Sequence, residues 1–253
     1  MKTLAVILNH NLPDETNKLY ESLKPFEKDD YDLIVVENGC KEDGKSKYST
    51  YTLDENVYWG GALNIMFQHI IDNKEYDSLL FLNNDIIVHG YNFVKTLREE
   101  MFENDFKIVS PTIFQPTHDQ GFWFTMHNWN SKTIRQVKWV DFNAPLIHRD
   151  LIEHIGQFDS ELIYGWGIDM LCGMKCEDMG WKVGVCDFVP ILHLVAQTTR
   201  KGKADITFKE YCDLAGEKMN KYFRDNEMSE RQEEYIRTSQ QYTNFKEIKN
   251  ETD

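Results

Sequence analysis

No glycine-rich phosphate loop follows the first apolar run of this sequence, because G-x-G-x-x-G is missing there and G-x-x-x-x-G-K-[ST] occurs nowhere. A dinucleotide-dependent dehydrogenase and a P-loop ATPase both cradle phosphate in such a loop, so both are poor readings. Paired cysteines are also missing. The five present (Cys40, Cys172, Cys176, Cys186 and Cys212) form no C-x-x-C and no even disulfide framework, which fits a reducing compartment. Cys172 and Cys176 could share a helix face, and burial suits them better than zinc. No apolar run approaches the roughly 18 residues of a membrane span, and Leu4 to Leu8 is too short for a signal peptide. An excess of basic residues is missing as well. A formal net charge of -14 argues against non-specific binding to nucleic acid or to an anionic membrane. These absences together read as a soluble cytoplasmic protein, in which any phosphate ligand would need a cation and local basic residues to offset the field.

What is present suffices for a full core. With 253 residues, 41% of them hydrophobic and 13% aromatic, the chain can build one large domain or one and a half. Thr3 to Leu8 reads as a central parallel strand ending in Asn9-His10-Asn11. A helix opening at Pro13 carries Leu19, Tyr20 and Leu23, and Asp32 to Val36 reads as a second strand ending in Glu37-Asn38-Gly39. Strand, helix, strand is a βαβ opening, and its carboxyl edge is where ligands of open α/β folds bind.

Three polar groups stand at or near that edge. Ser78 to Val88 is an apolar run broken by Asn83-Asn84-Asp85, in which Asn83 and Asp85 project to one side and Asn84 to the other. Two oxygen-bearing side chains there suit a hard divalent cation, although the same tripeptide is a good turn. Glu37 occupies the place where an acidic residue accepts hydrogen bonds from a ribose or base, and its plain alternative is an exposed charge in a turn. Gly60 and Gly61 open a helix carrying Leu63, Met66, Phe67, Ile70 and Ile71, where a glycine pair allows close backbone approach or merely punctuates the chain.

The order of these pieces resembles the nucleotide-sugar half of a family 2-type glycosyltransferase of the GT-A fold, rhamnosyltransferase-like. The matching residues are Glu37-Asn38-Gly39, then Asn56-x-x-x-Gly60-Gly61-x-x-Asn64, then Leu80 to Asp85. Phe142 to Arg149, Ile155 to Asp159, Tyr164-Gly165-Trp166-Gly167-Ile168-Asp169 and Gly180 to Val183 continue the succession, and the likeness covers roughly residues 3 to 195. The resemblance implies a mixed, mainly parallel sheet flanked by helices. It also implies a divalent metal, Mn2+ or Mg2+, held by Asp85 with Asn83 as weaker companion and His193 as the last ligand. Asn9, Glu37, Asn38, Gly60, Gly61, Asn64 and Asn84 would bind the donor, a nucleoside diphosphate sugar with UDP favoured. Trp166 and Gly167 would meet a hydroxyl-bearing acceptor. Two departures stand out: Asn83 replaces a metal carboxylate, and Ile168-Asp169 replaces a Glu-Asp pair.

An inverting sugar transfer needs one carboxylate to take the acceptor proton and a cation to stabilise the leaving diphosphate. Asp169 is the expected base; by position alone it could equally be a helix-capping Asp. His193 alone would read as a core histidine within Val189 to Val195. Arg200 and Lys201 belong to a basic cluster that could cover the diphosphate, or stay solvated. Phe114, Phe122, Trp123, Phe124, Trp129 and Trp139 suggest an acceptor region or an aromatic mini-core. Asp150 reads as the cap of a helix stopping at Gly156, and Asp159 as a structural turn residue.

The expected organisation is a glycosyltransferase domain over 1 to 204, divided at 110, and a helical extension over 205 to 253 through which the chain could self-associate. Ser229 and Gln232 read as a capping box within that extension. Two rivals remain: a nucleotidyltransferase, and a catalytically silent sugar- or nucleotide-binding protein of the same fold.

Overall fold

The computed structural model describes residues 1–27, 30–114, 124–128, 130–194 and 197–240. The uncharged, β-branched run after Lys2 forms β1 (Lys2–Asn9), flanked on one side by β2 (Tyr31–Asn38) and on the other by β4 (Tyr76–Asn83), both parallel to it. Buried side chains on both faces are what a parallel sheet covered by helices requires. Between these strands run α1 (Pro13–Leu23) and α2 (Tyr58–Asp72), with the short edge strand β3 (Tyr51–Leu53) parallel to β2. The expected stripes are buried: Leu19 and Leu23 on α1, and Leu63, Met66, Phe67 and Ile70 on α2.

Beyond β4 the chain forms β5 (Ile86–Ile87), α3 (Phe93–Glu103), β6 (Phe106–Ile113), β7 (Ile134–Val137), β8 (Leu146–His148), α4 (Arg149–Ile155), α5 (Ile168–Asp178) and β9 (Lys182–His193). The strand order is β3-β2-β1-β4-β8-β6-β9-β5, with β7 on β9. β8 lies antiparallel between β4 and β6, and β9 runs parallel to β6, so most of the paired length is parallel. This is the mixed α/β class expected. Then follow α6 (Gln197–Arg200), α7 (Phe208–Asp225) and α8 (Ser229–Gln240), whose Phe223 and Tyr235 join the central core. Among the described residues no helix is long and apolar enough to cross a membrane.

Several local expectations change. His148, not Asp150, caps α4, its Nδ1 accepting from the Asp150 N–H, because the helix starts two residues earlier. The capping box stands at Thr207 and Glu210 on α7, where side chain and backbone N–H groups satisfy each other. Gln232 instead donates to Asn220, fastening α8 to α7. Trp139 and Phe142 are core residues, as a mini-core would have them, while Phe114 is exposed. Phe122, Trp123, Trp129 and Val195, and the side chain of Phe124, lie outside the described residues. Gly156 ends α4 and Asp159 caps a turn, as expected.

Candidate functional site

Two chambers open at the carboxyl edge of the parallel half. The first, about 340 Å³, is lined by Asn38, Asn83, Asn84 and Asp85 from strand ends, by His193 from β9, and by Gln197, Thr198, Asp205 and Phe208 from the connection into α7. The second, about 590 Å³, is lined by Asp141, Asn143, Trp166, Gly167 and Asp169, with Met219 from α7 and Ile236 from α8. Trp59, Asn83 and Tyr211 line both, so the chambers share one wall.

In the first chamber the His193 imidazole Nε2 lies 3.2 Å from Asp85 Oδ1. Burial works against a charged imidazole, but the hydrogen bond to Asp85 and the charges of Asp85 and Asp141 outweigh it, so His193 holds a proton more tightly than usual. A carboxylate and an imidazole at one strand edge are chemically suited to a divalent cation, which would take the place of that proton. Among the described residues no cluster of three His, Cys, Asp or Glu forms, so phosphate and water oxygens would complete the coordination. Asn83 Oδ1 accepts from Trp59 Nε1 at 2.8 Å, so one of its two lone pairs is already engaged.

The expected donor residues divide. Asn38 and Asn84 line the first chamber. Glu37 does not: it is fully buried, its carboxylate accepting from Asn9 Nδ2 at 2.7 Å and from the Ser46 N–H at 3.0 Å. Asn9 is spent in the same network, which also reaches the Gly44 carbonyl and Asn84. Both hold the loop after β2. Asn64 bonds both ways with the backbone of Phe158. Gly60 is small because a Cβ there would stand 2.4 Å from the Leu162 carbonyl oxygen, and a Cβ on Gly61 would stand 3.0 Å from Val57; the pair fits α2 into its surroundings. Arg200 donates to the Leu194 carbonyl and Lys201 pairs with Glu15, so neither lines the chamber. Gln197 and Thr198 occupy the place expected for them.

Sequence reasoning gave no site role to His10, Asn56, Asp205, Tyr211 or Asp141. The Asp205 carboxylate sits 3.2 Å from His10 Nε2 and accepts from Asn56 Nδ2 at 2.9 Å, drawing the connection into α7 against the end of β1 and the turn before α2. Asp141 shares the second chamber with Asp169. Burial and the nearby Asp141 charge push the Asp169 carboxyl well above its ordinary range. Burial also raises Asp141, against the charge of His193 and a hydrogen bond from Asn143. Asp169 Oδ1 meanwhile accepts from the Met170 N–H at 2.8 Å in the first turn of α5. A half-buried carboxylate of raised proton affinity that faces a chamber is a suitable general base. Trp166 is 40% exposed on the same chamber, and Gly167 (φ +86°) lets α7 approach, since a Cβ would stand 2.8 Å from Met219 and Phe223.

No family model and no curated protein matches this sequence. Solved structures do. The chain is similar to GalNAc-T7 with UDP, GalNAc and Mn2+ at 13% identity and TM-score 0.61, covering 76% of this chain and 44% of that one. It is similar to S. aureus TarS 1-349 in complex with UDP at 15% identity and TM-score 0.55, covering 88% of this chain and 72% of that one. The fold is the GT-A glycosyltransferase fold. This chain spans less than half the length of the GalNAc-T7 chain, and at these identities the likeness extends to the fold.

Proposed function

We propose that the protein is a metal-dependent glycosyltransferase that moves a sugar from a nucleoside diphosphate sugar, UDP favoured, to a hydroxyl acceptor with inversion. The observation that carries this reading is the pair of adjoining chambers. One ends at Asp85 and His193, the other holds Asp169, and a single wall separates them. Among the described residues no Lys or Arg lines the first chamber, so a diphosphate there depends on a cation for charge balance. Held by Asp85 and His193, that divalent cation would stabilise the departing diphosphate.

The remaining work falls to side chains of this chain. Asn38 and Asn84 line the donor chamber with their amides bonded internally, Asn38 to Asn56, Val57 and Tyr58 and Asn84 to Asn9 and Thr16, and Trp166 and Gly167 bound the acceptor. Asp169 takes the proton of the acceptor hydroxyl as its oxygen bonds to the anomeric carbon and the carbon–oxygen bond to the diphosphate breaks. Burial, which raises the proton affinity of Asp169, strengthens it for that step.

Asn83, a neutral amide that already accepts from Trp59, favours one second reading, a nucleotide-binding protein without turnover. Calorimetric titration of UDP and GDP with and without Mn2+, on the wild type and Asp85→Ala, tests the donor site. Mn2+-dependent binding of one nucleotide, lost in the variant, supports it, and absence of binding by folded protein overturns it. Release of UDP from a UDP-sugar then separates transferase from binding protein.

A further inference from the structure

A line of four side chains crosses the shared wall. Trp59 Nε1 donates to Asn83 Oδ1 at 2.8 Å, Asn83 Nδ2 donates to Asn143 Oδ1 at 3.3 Å, and Asn143 Nδ2 donates to Asp141 Oδ2 at 2.9 Å. Its direction is fixed at both ends, because an indole N–H only donates and a carboxylate only accepts, so each amide between them has one permitted orientation. The backbone braces the same line. The Asn83 N–H donates to the Asn143 carbonyl at 3.0 Å, and the Asn143 N–H donates to the Asp141 carbonyl at 2.9 Å. Asn143 is buried, so an unmade bond there would be costly.

Trp59 and Asn83 line both chambers, whereas Asp141 and Asn143 line only the second, with Asp169, so the line runs from the shared wall to a carboxylate that the first chamber does not reach. We propose that Asn143 is a positioning residue that, through Asn83 and Trp59, fixes the Asp141 carboxylate in the chamber of Asp169 and couples a filled donor chamber to proton transfer in its neighbour. This rests on the transferase reading above. As a positioning residue Asn143 acts through Asp141 and need not touch the transferred sugar or the attacking oxygen. Its work is to keep one carboxylate in place, so that the base beside it works in an unchanging field. A donor that presses on Trp59 changes the first bond of the line, and the fixed amide orientations carry the change to Asp141. Asn83 thereby gains a role different from metal ligation.

The test is a double-variant cycle of Trp59→Phe and Asn143→Ala, read as UDP release from UDP-glucose and from UDP-N-acetylglucosamine with Mn2+, alongside UDP affinity. Each single variant is expected to lower kcat about tenfold while Asn143→Ala leaves UDP affinity within about twofold, and the double variant is expected to lose little beyond the worse single one. A purely structural role would move the melting temperature, and kcat and KM together. Asn143→Asp keeps the acceptor for Asn83 but sets a like charge on Asp141, so it is expected to be slower still, and it replaces Asn143→Ala in the cycle if that variant does not fold. Additive losses, or wild-type kcat in folded Asn143 variants, overturn the proposal while leaving the transferase reading intact. A wild type that releases no UDP from either sugar overturns both.

Discussion

The His193 imidazole meets the Asp85 carboxylate because a two-residue ladder sets Ile86 against His193 and Ile87 against Leu192. Leu194 N–H adds a bond to the Asp85 carbonyl at 2.8 Å, so backbone alone places the pair. His193→Ala should therefore remove a cation ligand without disturbing the sheet. UDP binding in Mn2+ is expected to weaken roughly 10- to 100-fold, while binding in EDTA stays equal for variant and wild type. Calorimetry reads both, and an unchanged affinity in Mn2+ would remove His193 from the metal site.

Asp169 sets stability against chemistry. Its folded-state pKa is raised by burial and by Asp141, so the fold prefers the protonated form and loses stability as pH rises from the unfolded value, about 3.9, through the folded one. Asp169→Asn removes that loss. At neutral pH the variant is expected to melt a few degrees higher than the wild type and to turn over about 100-fold slower or worse, with the melting difference closing near pH 4. Thermal melts at both pH values decide it. A variant that is less stable at pH 7 would contradict the raised pKa.

The connection into α7 is fastened at three points: Asp205 to His10 and Asn56, the Lys203 carbonyl to Asn11, and Lys201 to Glu15. Only Asp205 among these three fastening residues also lines the first chamber. Asp205→Ala is expected to speed UDP dissociation several-fold, while Lys201→Ala, at a surface pair, changes it less than about twofold. Stopped-flow fluorescence, with Trp59 in the chamber wall as reporter, measures both rates. Equal rates in the two variants would deny Asp205 any hold on the ligand.

Gly60 separates packing from binding. A methyl group there would press on the carbonyl oxygens of Leu162 and Ile163 at 2.4 and 2.9 Å. Gly60→Ala is expected to cost roughly 1–3 kcal/mol of stability while the folded fraction binds UDP with wild-type affinity. Denaturant titration and calorimetry check the two halves. A lost affinity in stably folded protein would return Gly60 to the donor site.

The backbone plan was legible because it is written in periodicity. The apolar runs at Thr3, Asp32 and Ser78 are strands buried on both faces, and the helical stripes at Leu19 and Leu63 are buried where spacing put them. Side-chain assignment was less legible, for a physical reason. A strand-end residue can face the ligand or the loop beneath it, and only the loop decides. The Ser46 N–H claims Glu37, and the indole of Trp59 claims Asn83, across separations that carry no local signal. Asp141 stood unremarked in a run of mixed residues, although an acidic side chain directly before the Phe142 to Arg149 stretch was a signal that could have been weighed.

Met219 of α7 and Ile236 of α8 line the second chamber alone, whereas Tyr211 faces both chambers and Phe208 the first. The terminal helices therefore touch both, but these two aliphatic side chains bear only on the chamber that holds Asp169. On the transferase reading, exchanging just those two residues would reshape the acceptor side and spare the donor side.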